Sequence, residues 1–136
     1  MSDYNSQYSG ARIEELLAMI PNLAKADLSN AMTVSLGANG YAKFNNGLLI
    51  QWRTRVGATG GAINLYFPTS FYNTDYNIYF TGAVNNTGES FIYAPGYDLN
   101  GKYTSYCRVL TRGINSTPAI VWTSWNFTWF AIARWK

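Results

Sequence analysis

The chain has 136 residues, 12% of them charged and 17% aromatic, with eleven Tyr, seven Phe, five Trp and twelve Gly, which leaves room for one ordinary domain with a short appendage. There is no histidine, so the commonest general base and metal ligand are missing, and with them the usual catalytic triads and zinc sites. The net charge of +3 is unevenly spread. Residues 1–39 carry Asp3, Glu14, Glu15 and Asp27 against Arg12 and Lys25, a net −2. From residue 40 onward Lys43, Arg53, Arg55, Lys102, Arg108, Arg112, Arg134 and Lys136 face only Asp75, Glu89 and Asp98, a net +5. A basic head of this kind attracts anionic polymers such as surface polysaccharide or nucleic acid. Few charges and many large rings also leave more apolar surface than a small monomer can hide, which points to an oligomer.

Taken in chain order, the polar start MSDYNSQYSG lacks the apolar core of a signal peptide, and no apolar run approaches the ~18 residues of a membrane helix. Assembly in the cytoplasm without membrane insertion follows as an expectation. Ile13, Leu16, Leu17 and Ile20 then recur at helical spacing until Pro21, with Ser9 or Gly10 as N-cap and Glu14 and Glu15 in the first turns, where the helix dipole favours negative charge. So short a helix needs its apolar stripe covered, by the same helix of sister chains or by the flank of the head. Residues 22–39 read as a connector, which divides the chain into a stem at 1–39 and a head at 40–136.

The pattern then becomes β. Strands are expected near Tyr41 to Phe44, Leu48 to Val56, Ala62 to Phe67, Asn77 to Val84, Ser90 to Tyr93, Thr104 to Thr111, Ala119 to Trp122 and Asn126 to Arg134. Asn45-Asn46-Gly47 is a hairpin signal, and Asn85-Asn86-Thr87-Gly88 and Asp98-Leu99-Asn100-Gly101 are turn sequences. Many short strands with no later helical period predict a mainly β fold, an antiparallel β-sandwich preceded by a short α-helix. In the last strand Phe127, Trp129, Ala131 and Ala133 share one face and Thr128, Phe130, Ile132 and Arg134 the other. Both faces are largely apolar, so another subunit is expected to cover the second. Leu48, Ile50 and Trp52 likewise oppose Leu49, Gln51 and Arg53. Cys107, in a strand-like run, reads as a small buried hydrophobe. Arg108 faces away from Cys107 and Val109, a position suited to an intersubunit ion pair.

Asn46-Gly47-Leu48-Leu49-Ile50-Gln51-Trp52, then Leu65-Tyr66-Phe67-Pro68-Thr69-Ser70-Phe71, then Phe127-Thr128-Trp129-Phe130-Ala131-Ile132-Ala133 form an ordered signature. It resembles the C-terminal domain of phage and prophage tail-fibre proteins, whose pattern is NGLIIQWG, FPxxF and a closing W-I-A-I-G strand. The segment from Tyr8 to Leu17 is similar to short helices of phage fibre proteins. The resemblance implies a homotrimeric sandwich head, similar to the H-type lectin fold, that recognises bacterial surface polysaccharide as part of a virion's tail fibre or baseplate tip. It also implies attachment to another tail or fibre protein through the N-terminal segment. A small chain beginning at Met1 suits a separate tip carried by an adaptor. Arg53 and Ala133 stand where the family usually has Gly, and residues 85–125 do not align with its pattern.

Candidate chemistry is therefore binding chemistry, with no catalytic residue, no metal and no cofactor expected. Glycosidase work needs paired carboxyl groups, and the head offers only Asp75, Glu89 and Asp98, each beside turn residues. Sugars call for an aromatic plate flanked by planar hydrogen-bonding groups. The segment from Tyr93 to Tyr103, read as a polar loop, supplies Tyr93, Tyr97, Asp98, Asn100 and Tyr103. A second stretch supplies Arg112, Asn115, Trp122 and Trp125. Trp52 and Trp129 belong to apolar strand patterns and read as core or interface, whereas Trp122 and Trp125 suit either the surface or the core. Tyr97 leans to the surface. Ile13, Leu16, Leu17, Ile20, Phe130 and Ile132 are the candidate trimer contacts. Two other readings stand beside the adhesin: a fibre tip or trimerisation cap without ligand, and a single-stranded nucleic-acid binder. The scattered bases argue against the last.

Overall fold

The computed structural model describes residues 7–23, 25, 27–57, 60–83, 92–115 and 117–136. Contacts divide the chain into two units, Met1–Met32 and Thr33–Lys136. In the first, α1 (Gly10–Met19) starts at Ser9, whose hydroxyl accepts the Arg12 backbone N–H at 3.2 Å, and gives way to a 3₁₀ turn at Ile20–Asn22, where Pro21 cannot continue the α-helix. Glu14 and Glu15 fall beyond the first turn, and Glu15 instead pairs with Arg12 at 2.6 Å. Ile13, Leu16, Leu17 and Ile20 are all exposed. Among the described residues no helix is long and apolar enough to cross a membrane.

The second unit is an antiparallel β-sandwich. Its strands are β1 (Met32–Ser35), β2 (Asn39–Phe44), β3 (Leu48–Val56), β4 (Gly61–Tyr66), β5 (Asn77–Ala83), β6 (Ile92–Lys102), β7 (Tyr106–Ile114), β8 (Ile120–Trp122) and β9 (Asn126–Arg134). One sheet runs β1-β2-β3-β9-β5; the other runs β4-β7-β6, with β8 paired to β7. β4 pairs with residues 106–111 of β7 and β8 with 112–114, so they lie end to end on one flank, with β6 on the other. The β2–β3 hairpin turns at Gly47, whose φ of 103° suits glycine, and Asn46 caps it by accepting the Leu48 N–H at 3.1 Å.

Two stretches differ from the sequence expectation. β1 and the start of β2 lie in what reads as a connector: Met32, Val34 and Leu36 do alternate with Thr33 and Ser35, but the run is short and stops at the breaker cluster of Gly37, Asn39 and Gly40. The segment from Tyr93 to Lys102, read as a loop on Pro95, Gly96 and the turn sequence, belongs to β6. β6 lies at the edge of its sheet, where a proline costs no ladder bond. The turn chemistry at Asp98–Gly101 is realised inside the strand: the register slips between Tyr97↔Val109 and Lys102↔Cys107, three extra residues bulge out, and Asp98 Oδ1 accepts the Asn100 N–H at 3.1 Å. The expected turn at 85–88 and residues 84 and 89–91 lie outside the described residues.

Leu49, Val56, Ile78, Phe127, Trp129 and Ala131 from the first sheet meet Leu65, Cys107 and Val109 from the second, each burial stabilising by about 1.5–3 kcal/mol for the larger side chains. Phe67, Phe71, Tyr76 and Trp129 form an aromatic cluster with ring centroids 4.8–5.6 Å apart. Fully buried Gln51 accepts the Thr69 N–H at 2.9 Å, so the Gln-Trp strand holds the Phe-Pro-x-x-Phe segment in place. The mixed face of β3, with Leu49 and Gln51, is thus the core face. Leu48, Ile50 and half-buried Trp52 point outward, beside Phe130 and Ile132 of β9.

Candidate functional site

In β7 Cys107, Val109, Thr111 and Gly113 are buried, so Tyr106, Arg108, Leu110 and Arg112 project from the outward face of the second sheet. The ladder sets Tyr66, Asn64 and Ala62 of β4 beside Tyr106, Arg108 and Leu110. On the other flank the β6 bulge folds back over Arg108. Gly101 allows that approach: a Cβ there would stand 2.6 Å from Arg108 Cβ and 3.2 Å from Asp98 Cβ.

The result is a cleft of about 530 Å³ lined by Ala62, Asn64, Asp98, Asn100, Gly101, Tyr103, Tyr106 and Arg108, within the size range of small-molecule sites. Tyr103 and Tyr106 stack with centroids 4.4 Å apart and planes 18° apart, and Tyr66 extends the row at 5.3 Å from Tyr106. Desolvation in this row, then hydrogen bonding with Tyr103, raises the Tyr106 phenol above its ordinary range. Arg108 Nη1 lies 3.8 Å from Asp98 Oδ2, beyond hydrogen-bond length, so the guanidinium's N–H groups are not spent on that carboxylate. Among the described residues no cluster of His, Cys, Asp and Glu is arranged to hold a metal.

Three of the expected glycan residues, Asp98, Asn100 and Tyr103, come together here. The other six do not. Tyr97 pairs with Val109 and is 40% exposed, but lies outside the cleft lining. Tyr93 packs against the core, donates its hydroxyl to the Trp125 carbonyl at 3.0 Å and meets that indole edge-to-face at 5.7 Å; this pair is structural. Asn115 closes the β7–β8 turn, its Oδ1 accepting from the Thr117 N–H, the Thr117 hydroxyl and the Ala119 N–H. Arg112 and Trp122 stack at 4.2 Å at the far end of the face, beside an apolar hollow of about 220 Å³ formed by Ile92, Ala94, Ile114 and Ile120. Asn64, Tyr106 and Arg108 were not expected in the site. The period-two pattern of β4 and β7 carries the signal, but only once the two strands are known to be neighbours. Arg108 does face away from Cys107, yet meets Asp98 of its own chain.

Elsewhere the carboxylate of Asp75 accepts from Asn73 Nδ2 at 2.6 Å in a local turn. Cys107 is fully buried, and desolvation pushes its thiol up to about 11. Glu89 lies outside the described residues.

The fold is similar to two solved tail fibers. The N-truncated R2-type pyocin tail fiber superposes with a TM-score of 0.56 at 17% identity, over 98% of this chain and 54% of that one, so the chain spans about half of its length. The N-truncated R1-type pyocin tail fiber gives a TM-score of 0.52 at 15% identity, over 95% of this chain and 99% of that one. At such identities the likeness is one of fold. No curated protein is similar enough in sequence to count as a relative. Residues 43–134, more than half the chain and including strands β3 to β9 of the sandwich, match the family described as "tail fiber protein gp53-like, C-terminal", and the chain belongs to that family.

Proposed function

We propose that this is the receptor-binding head of a phage-type tail fibre, a non-catalytic homotrimer that adheres to bacterial surface polysaccharide. The observation that carries the reading is the cleft on the outward face of β4, β7 and β6: an apolar plate of stacked tyrosines beside two amides, a carboxylate and a guanidinium with free hydrogen-bonding capacity. That combination matches a sugar ring, apolar on one face and rimmed with hydroxyls. The chain's family is one of tail-fibre C-terminal domains, and the end of a fibre is suited to meeting a cell, which supports the reading. The opposite outward face, with Leu48, Ile50, Phe130 and Ile132, is the surface we assign to the trimer, and three copies would raise a weak single-site affinity by avidity. The exposed stripe of α1 joins sister chains or a second fibre protein, carrying the head on the virion.

The test is mass by light scattering on the purified chain, followed by titration of the same sample against purified bacterial surface polysaccharides. A particle of three chains that binds one class of polysaccharide is expected. A trimer that binds none would make the chain a fibre tip without ligand, and a stable monomer would overturn the assembly and its avidity together.

A further inference from the structure

The head is basic overall, which by itself favours an anionic glycan, but the cleft is not. Resting on the reading of this cleft as the glycan site, we infer that it takes an uncharged pyranose, gripped through two neighbouring hydroxyls by Asp98 and Arg108, and that it discriminates against carboxylated sugars.

Three observations lead there. Asp98 Oδ2 and Arg108 Nη1 stand 3.8 Å apart as a loose ion pair, with side chains 30% and 53% exposed, so an acceptor and a donor face the cleft side by side with no hydrogen bond between them. A hydroxyl both donates and accepts, so one of a vicinal pair can donate to the carboxylate while the other accepts from the guanidinium. A sugar carboxylate brought to Arg108 would instead come against Asp98, and like charges at such range repel strongly. The positions of both groups are also built in. Asp98 Oδ1 is occupied by the Asn100 N–H, which leaves Oδ2 as the oxygen turned to Arg108, and Gly101 lets the bulge close on the arginine. Finally, much of the remaining positive charge is held elsewhere. Lys102 donates to the Tyr76 carbonyl at 2.8 Å, Arg112 lies over Trp122 and Arg134 over Tyr72, so the net charge is not focused on the cleft. Asn64 and Asn100 add neutral amides, and Tyr103 and Tyr106 the apolar plate.

The experiment uses polymer-displayed hexosides of the gluco, galacto and manno series and their matched uronides, which differ only at C6, so that multivalent display makes weak sites readable. Wild-type chain and Asp98→Asn are compared at low and high salt. The asparagine keeps the oxygen that accepts the Asn100 N–H, so the bulge is retained, while the charge is removed. The inference predicts binding of a neutral hexoside over its uronide, little change with salt, and an affinity loss of about tenfold or more in Asp98→Asn. A preference for the uronide, salt-sensitive and tightened by Asp98→Asn, would overturn the inference while leaving the cleft a glycan site. Binding of a conjugate that neither Asp98→Asn nor Tyr103→Ala alters would place the sugar outside this cleft and overturn the inference along with its site. No binding of any conjugate or of any surface polysaccharide would overturn the inference and the adhesin reading together.

Discussion

Gly40 shows how closely the residues of this head are fitted. A Cβ there would lie 2.5 Å from the Ser35 carbonyl oxygen and 2.6 Å from the Trp52 ring, so β1, β2 and the indole meet where only glycine fits. Trp52 is fixed in turn by its Nε1–H, which donates to the Gly37 carbonyl at 3.1 Å. Gly40→Ala is therefore expected to cost about 1–3 kcal/mol, the range for overpacking, measured by denaturant unfolding at fixed chain concentration. Cys107 makes a pH prediction. Its folded thiol, held up to about 11 by burial, keeps its proton while the unfolded thiol begins to lose it near its ordinary value of 9.0. The unfolded state then binds fewer protons, so stability is full below about pH 9 and falls as pH rises toward 11. Burial raises the Tyr76 phenol in the same direction. Cys107→Ala should flatten that alkaline decline, and the native thiol should resist thiol reagents until the chain unfolds.

At the scale of elements, the outward face of β3 and β9 is the feature with the largest consequence. Phe130 is 41% exposed and Leu48 36%, with Ile50 and Ile132 half-buried beside them, although β9 is flanked by β3 and β5 within its own sheet. Phe130→Asp should leave the sandwich folded, since its side chain lies off the core. In the proposed trimer each buried, unpaired carboxylate would cost on the order of 3 kcal/mol or more, so light scattering should show the mass of one chain. This face was legible in the sequence because alternation alone makes both sides of the last strand apolar. β6 was not legible, because Pro95, Gly96 and Asp98–Gly101 are breaker residues whose meaning depends on edge position, which only pairing reveals. β1 escaped for a different reason: Met32 and Val34 alternate with Thr33 and Ser35, but the strand is four residues long and mostly exposed, too short a run to stand out beside a breaker cluster.

In the whole molecule the two sheets divide the work. The inner faces share one aromatic core, one outer face is apolar and the other carries the cleft. The three sequence signatures belong to the first of these tasks: Gln51 binds the Thr69 N–H, and Phe67 packs on Trp129 at 5.6 Å, so they mark the scaffold rather than the site. That is why the fold and family could be read from the residues, whereas of the residues that line the cleft only Asp98, Asn100 and Tyr103 could be picked out beforehand. Asn64 and Arg108 are 44 positions apart in sequence and are brought together by the β4–β7 register. The basic character likewise misleads at the level of the chain, since Lys43, Arg112, Arg134 and Lys136 lie over Trp135, Trp122, Tyr72 and Trp135 rather than in one stripe.

Backbone amide hydrogen exchange of the chain, with and without a polysaccharide selected by the proposed titration, tests the central claim most directly. Slowed exchange is predicted around Asn64, from Asp98 to Tyr106 and at Arg108, with the β3 and β9 amides unchanged because the proposed trimer would already cover them. Protection confined to the Ile92, Arg112 and Trp122 end of the face, or absent from β6 and β7 altogether, would contradict it.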